Sequence, residues 1–181
     1  MKILVDLDST LVDILTPTLK ILNKKFKKEV KLEDITSWDK ITEIFPKDAF
    51  YNLVESDNFY TDYVLPIAGS KEFIENLAKN NEIILVSSGK NSTEKVNYIV
   101  KTYNNKFSDI IFTYNKHEIK GDVLIDDNFQ TIYKWVKSTD KLGILFRNNG
   151  LYKWNDVLWK HRKFKWKNTY KEILKEIECI K

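Results

Sequence analysis

Short apolar runs that end in acids or hydroxyls recur along this chain, and stretches of helical periodicity separate them. Ile3-Leu4-Val5 ends in Asp6 and Asp8, and Ile83-Ile84-Leu85-Val86 ends in Ser87, Ser88 and Gly89. Ile110-Ile111-Phe112 is followed by Lys116, Val123-Leu124-Ile125 ends in Asp126 and Asp127, and Leu142 to Phe146 makes a fifth run. Runs this apolar suit strands buried on both faces of a parallel sheet. The separators read as helices. Leu19, Leu22 and Phe26 follow Thr16-Pro17, an N-cap and first helical position. Ser70 caps a helix carrying Phe73, Ile74, Leu77 and Ala78. Val96, Ile99, Val100 and Tyr103 mark another, as do Phe129, Ile132, Tyr133 and Val136. Thr169-x-x-Glu172 is a capping box ahead of Ile173, Leu174 and Ile177. The alternation predicts an α/β fold, a Rossmann-like parallel sheet with helices on both faces.

One segment breaks the alternation. Residues 15–65 read as mostly helical, with Pro46 opening a helix that carries Phe50, Leu53 and Val54. The expectation is a small helical cap inserted after the first strand, on a core formed by residues 1–14 and 66–181. Phe45, Phe50, Phe59 and Tyr60 read as its interior, and Trp38 as the candidate surface for stacking a base.

A chain of 181 residues buries one substantial core. No stretch approaches the roughly 18–20 apolar residues of a membrane span, and the first apolar run is too short for a signal peptide. Cys179 is the single cysteine, which excludes an intrachain disulfide and fits a reducing cytoplasm. A net charge of +4, from 30 basic and 26 acidic residues, is a weak argument for a polyanionic partner. The basic run from Lys160 to Lys167 reads as a solvated segment with Phe164 and Trp166 packed inward, rather than as a nucleic-acid contact.

In open α/β sheets ligands bind beyond the carboxyl ends of the strands. There the pattern collects Asp6, Asp8, Ser87, Ser88, Lys116, Asp126 and Asp127. Clustered carboxylates repel one another unless a cation sits among them, and an all-oxygen set suits Mg²⁺ with a phosphate oxygen. Lys116, favoured over Lys120 by its spacing from Asp126, offers a positive charge to phosphoryl oxygens. Ser87 offers a hydroxyl, and Ser88 contributes backbone more than hydroxyl. A carboxylate can also serve as the nucleophile. The chemistry is that of Mg²⁺-dependent phosphoryl transfer.

These motifs resemble, in order and placement, those of the haloacid dehalogenase (HAD) superfamily: Asp6-Leu7-Asp8-Ser9-Thr10, Val86-Ser87-Ser88, Lys116 and Asp126-Asp127. Within it the chain is similar to the 5′(3′)-deoxyribonucleotidases of the cytosolic type. The similarity lies in Asn115-Lys116-His117 through Gly121-Asp122-Val123-Leu124-Ile125-Asp126-Asp127, in Phe59-Tyr60 through Leu65-Pro66-Ile67-Ala68-Gly69-Ser70, and in Ile84-Leu85-Val86-Ser87-Ser88. The resemblance implies Asp6 as nucleophile and metal ligand, and Asp8 as general acid and then base. It implies Ser87, Ser88 and Lys116 on the phosphate. It implies Mg²⁺ on Asp6, the Asp8 backbone carbonyl and Asp127, with Asp126 beside it as ligand or outer support. It also implies deoxyribonucleoside monophosphate substrates and a homodimer. Ser9 stands where Gly is common, Ser87 where Thr is, Gly89 where Pro is, and Asn115 where an acid is. The other readings are a HAD phosphatase for another small metabolite or for a nucleic-acid 3′-phosphate end, and a non-catalytic binding protein on a HAD fold.

Overall fold

The structure is a computed structural model that describes residues 1–89 and 93–180. In chain order, β1 (Lys2–Val5) leads through a short β2 (Val12–Asp13) into α1 (Leu15–Phe26), α2 (Lys40–Ile44), α3 (Lys47–Val54) and α4 (Phe59–Tyr63). A short β3 (Leu65–Pro66) then returns antiparallel to β2, pairing Val12 with Pro66 and Asp13 with Leu65. Next come α5 (Ser70–Ala78), β4 (Glu82–Ser87), α6 (Thr93–Thr102), β5 (Asp109–Phe112), β6 (Val123–Asp126), α7 (Phe129–Thr139), β7 (Leu142–Phe146), β8 (Phe164–Lys167) and α8 (Tyr170–Glu178). Among the described residues the main sheet has six strands in the order β5-β4-β1-β6-β7-β8, and every pairing in it is parallel.

The apolar runs form the sheet because alternate residues bury on opposite faces. Ile3 and Val5 join the larger core with Phe73, Ile74 and Leu77 of α5 and Ile173 and Ile177 of α8. Leu4 faces the other way, against Ile84, Val86 and Leu124, and the same cluster holds Ile132, Trp135 and Val136 of α7. Helix α7 lies very close to β7 at Gly143. A Cβ there would meet Ile132 Cγ2 and Val136 Cγ2 at 2.8 Å, so only glycine permits this approach. Helix α8 opens with the expected capping box, Thr169 accepting from the Glu172 amide and Glu172 reaching back to the Thr169 amide.

Several local expectations are corrected. Helix α1 is not capped by Thr16. Asp13 Oδ1 accepts from the amides of Leu15 and Thr16 at 3.1 and 3.0 Å, and the helix begins at Leu15. Ser70 is the first residue of α5 rather than its cap, a place taken by Gly69 at φ +83°. The Ser70 hydroxyl is buried against the Tyr103 hydroxyl at 3.2 Å. The basic run contains a sixth strand, β8, paired with β7 from Gly143↔Phe164 to Phe146↔Lys167. Its Phe164 is buried, but Trp166 is 49% exposed and carries the Arg147 guanidinium over its ring. An edge strand has one neighbour and one wet flank, which is why its sequence alternates lysines with aromatics.

Residues between β2 and β3 form four helices, with Leu22, Ile35, Ile41, Phe45 and Phe59 buried. Trp38 lies in a turn before α2 and is 46% exposed. No helix among the described residues is long and apolar enough to cross a membrane.

Candidate active site

Strand β1 ends in a tight loop. The amides of Thr10, Leu11 and Val12 all donate to the Leu7 carbonyl, at 3.2, 2.8 and 3.1 Å, and the Ser9 amide donates to Val12 O at 2.8 Å. Leu7 is fully buried and anchors the turn. Ser9 adopts φ +60°, a left-handed conformation that costs a non-glycine residue of order 1 kcal/mol. The Asp6 amide continues the sheet by donating to Ile125 O at 2.9 Å, so the Asp6 side chain emerges beside the end of β6.

That position brings three carboxylates together. Oxygen atoms of Asp6, Asp126 and Asp127 lie within 4.8 Å of one another, and all three residues are buried. Lys116 enters from the 3₁₀ turn after β5. Its ammonium donates to Asp6 Oδ1 at 2.5 Å and to Asp126 Oδ2 at 2.7 Å. Lys120, its rival by sequence, is exposed. The Asp126 carboxylate is committed on both sides, since its Oδ1 also accepts from the Asn128 amide at 2.8 Å. The Asp6 Oδ2 accepts from Thr10 Oγ1 at 3.0 Å. Asp127 Oδ2 is buried and has no hydrogen-bond partner among the described residues.

The electrostatics follow from this packing. Burial pushes the Asp6 carboxyl up to about 7; Lys116 opposes the rise, and Asp126 and Asp8 add to it. Burial also lifts Asp127 well above the ordinary carboxylate range, with the neighbouring Asp6 and Asp126 reinforcing it. For Lys116 burial works against the charged form, yet Asp126 and Asp6 outweigh it and hold the ammonium above its ordinary value. One lysine among three acids leaves negative charge unbalanced. Oxygen-only donors, an orphaned carboxylate oxygen and this excess charge together fit a hard divalent cation such as Mg²⁺.

Asp8 stands on the other wall. Its Oδ1 accepts from the Tyr60 hydroxyl at 2.7 Å, and its Oδ2 from the Lys95 ammonium at 2.8 Å and from Ser87 Oγ at 3.4 Å. The Ser87 side chain, at the end of β4, is fully buried, while Ser88 Oγ turns to Thr113 O at 3.4 Å. Burial raises the Tyr60 phenol well above its ordinary value, and the adjoining Asp8 carboxylate adds to the shift. A cleft of about 700 Å³ runs from Asp6, Asp8, Lys116 and Asp127 out to Trp38 and Tyr51 of the helical segment. Trp38 meets Trp154 edge-on there, with ring centroids 6.1 Å apart.

The predicted residues Asp6, Asp8, Ser87, Ser88, Lys116, Asp126 and Asp127 thus gather beyond the carboxyl ends of the strands, and Trp38 lies at the far side of the same cleft. Sequence reasoning missed Lys95. The buried face of α6 runs through Lys95 and Ile99 and continues into Tyr103 just past its end, and Val100 is exposed. A lysine on the same helical stripe as Ile99 and Tyr103 was the available signal. By sequence Tyr60 belongs to the helical segment's interior; in the structure it buries its ring and also spends its hydroxyl on Asp8.

Residues 1–177 match the family described as 5′ nucleotidase, deoxy (pyrimidine), cytosolic type C protein. The chain belongs to this family. As a protein of this nucleotidase family it is a phosphatase, and its fold is that of HAD-like hydrolases. It is 26% identical over 149 residues to the 5′(3′)-deoxyribonucleotidase of Bacillus subtilis (strain 168), covering 80% of this chain and 83% of that one. The protein of the same description in Bacillus phage SPbeta matches to the same extent. Among solved structures, a HAD-like hydrolase from Xanthomonas campestris aligns with a TM-score of 0.64 at 13% identity, over 99% of this chain and 95% of that one. The HAD-hydrolase assigned as YfnB from Bacillus subtilis, solved bound to magnesium, aligns at 0.61 and 12% identity over 97% of each chain. In this nucleotidase-family chain Ser9 keeps the left-handed turn that glycine commonly makes, so the substitution leaves the loop after β1 intact.

Proposed function

We propose that the chain is a cytoplasmic, Mg²⁺-dependent phosphomonoesterase that hydrolyses 5′- or 3′-deoxyribonucleoside monophosphates through an aspartyl phosphate on Asp6. Residues 15–65 act as the cap over a core of residues 1–14 and 66–181. The observation that carries the reading is the buried meeting of Asp6, Lys116 and Asp127 at the floor of a cleft that also presents Asp8 and aromatic side chains. The Asp6 carboxylate, the Asp8 backbone carbonyl and Asp127 would hold Mg²⁺, which when bound balances the acid cluster and polarises a phosphoryl oxygen.

Asp6 attacks phosphorus, and the bond from phosphorus to the nucleoside oxygen breaks. Lys116 and Ser87 hold the phosphoryl oxygens as charge shifts onto them. Asp8 delivers a proton to the departing nucleoside oxygen, which leaves as a hydroxyl. Asp8 then takes a proton from water as the water oxygen attacks phosphorus, and the bond to Asp6 breaks to release phosphate. Tyr60 and Lys95 fix the Asp8 carboxyl between the nucleophile and the cleft. The cap excludes water and supplies Trp38 for the base.

The test is phosphate release from deoxy- and ribonucleoside 5′- and 3′-monophosphates, sugar phosphates and a 3′-phosphorylated oligonucleotide, with Asp6→Asn as control. Selective turnover of deoxynucleotides, lost in Asp6→Asn, supports the reading. Turnover of the oligonucleotide alone, or of sugar phosphates alone, replaces its substrate. No turnover of any of them overturns it.

A further inference from the structure

The C-terminal third of the chain, where the sequence motifs end, reaches back to the acid cluster through one short turn. Trp154 and Asn155 lie in the 3₁₀ turn at Lys153–Asn155, and both are buried. Trp154 Nε1 donates to the Asp127 carbonyl at 3.1 Å, and Asn155 Nδ2 donates to the same oxygen at 2.5 Å. Asn155 Nδ2 also donates to Phe146 O at 2.9 Å, at the end of β7. A flipped amide would set its oxygen against two carbonyl oxygens, so the donor assignment is fixed by its partners. The other half of the amide, Asn155 Oδ1, is buried without a partner among the described residues. A buried amide that leaves its acceptor unsatisfied is kept for its donor.

The peptide between Asp127 and Asn128 is therefore held at both poles. Two side-chain donors grip its carbonyl, and its amide is given to Asp126 Oδ1 at 2.8 Å. Asn128 in turn caps α7 by accepting from the Thr131 amide at 3.1 Å. A fixed peptide plane restrains the direction in which the Asp127 side chain leaves the backbone, and Asp127 Oδ2 is buried without a partner among the described residues.

We infer that Trp154 and Asn155 are positioning residues for the divalent cation, orienting Asp127 through its backbone carbonyl rather than touching the metal. The inference rests on the reading of Asp127 as a metal ligand. Outer groups that orient metal ligands typically contribute 10–100-fold to metal affinity.

The experiment is a Mg²⁺ titration of the purified protein, read by the rise in melting temperature, with the apparent KM for Mg²⁺ in phosphate release as a second reading. Trp154→Phe removes one N–H and keeps a smaller aromatic side chain; Asn155→Ala removes the other donor; Ile177→Val, on the buried face of α8, controls for lost stability. The expected result is a Mg²⁺ midpoint raised about 10-fold or more in Trp154→Phe and in Asn155→Ala. It is unchanged in Ile177→Val, and kcat at saturating Mg²⁺ stays within about 3-fold of the parent. If Asn155→Ala does not fold, Trp154→Phe decides alone. An unchanged midpoint in Trp154→Phe, or an equal shift in Ile177→Val, overturns the positioning role while leaving the metal site standing. A parent protein that does not respond to Mg²⁺ overturns the metal reading itself, and the positioning role with it.

Discussion

Raising the pH should weaken the metal-free protein, and Mg²⁺ should restore what is lost. The Asp6 carboxyl is carried from its ordinary 3.8 to about 7, chiefly by burial. A carboxyl raised in this way keeps its proton in the folded state after the unfolded chain has lost it. Its contribution to stability is thus complete below about pH 4 and is lost as pH rises through about 7. A shift of this size corresponds to about 4 kcal/mol in full, of which about 2–3 kcal/mol is lost between pH 5 and pH 8. Asp127 is raised too, so it adds to the loss in the same direction. At about 2–4 °C per kcal/mol for a domain of this size, Asp6 alone should lower the melting temperature by roughly 5–10 °C over that interval. Mg²⁺ binds the ionised cluster and competes with protons, so its stabilisation should grow with pH. It should reach about 2.7 kcal/mol at 100 times its dissociation constant. The assay is thermal unfolding from pH 5 to pH 8 in chelator and in Mg²⁺, for the parent, Asp6→Asn and Asp127→Asn. Asp6→Asn should lose the Asp6 share of the pH slope, and Asp127→Asn should gain stability in chelator and lose most of the Mg²⁺ increment. A parent whose melting temperature in chelator does not fall with pH relative to Asp6→Asn would refute the electrostatic argument.

Three further substitutions probe separate parts of the structure. Lys116→Met strands the buried Asp6 and Asp126 without their shared cation, and denaturant unfolding at neutral pH should show a loss of about 3–5 kcal/mol with no measurable phosphate release. Tyr60→Phe keeps the buried ring and removes the hydroxyl from Asp8; kcat should fall by about 10-fold or more, as expected for weakened acid–base catalysis, with melting temperature little changed. Gly143→Ala drives a methyl into Ile132 and Val136; urea unfolding should register a cost of about 1–3 kcal/mol from overpacking, while turnover per folded molecule stays at the parent level.

The strands that carry the chemistry were legible because they are buried on both faces, and two-sided burial writes an unbroken apolar run into the sequence. The groups at their ends were legible because the chain must leave each strand there, and an acid or hydroxyl marks the exit. Strand β8 was obscured for the opposite reason. It has one neighbour, so Lys165 and Lys167 could remain among its aromatics. Lys95 and Tyr60 were obscured because their partners are distant in sequence; the bonds to Asp8 span 87 and 52 residues. Thr16 does not cap α1 because Asp13, just ahead of Ile14 at the N-cap, already accepts from two of the first amides. Trp154 and Asn155 gave no local signal at all, since their meaning lies in the Asp127 carbonyl just beyond β6, 27 and 28 residues away.

The central place of β1 also dictates when this site can exist. Strand β1 leaves the ribosome before the strands that flank it, since its two neighbours are β4 and β6, and the Lys2 amide finds its partner Asp122 only 120 residues later. At about 5–20 residues per second, translation runs for roughly 6–24 s before both flanks are available. Throughout that interval Ile3, Leu4 and Val5 lack at least one of their two neighbours, and the incompletely paired apolar strand is a surface for chaperones or for the nascent helical segment that follows. The acids that repel one another are brought face to face only by the later strands. The nascent chain therefore carries Asp6 long before Lys116, Asp126 and Asp127 are made to meet it.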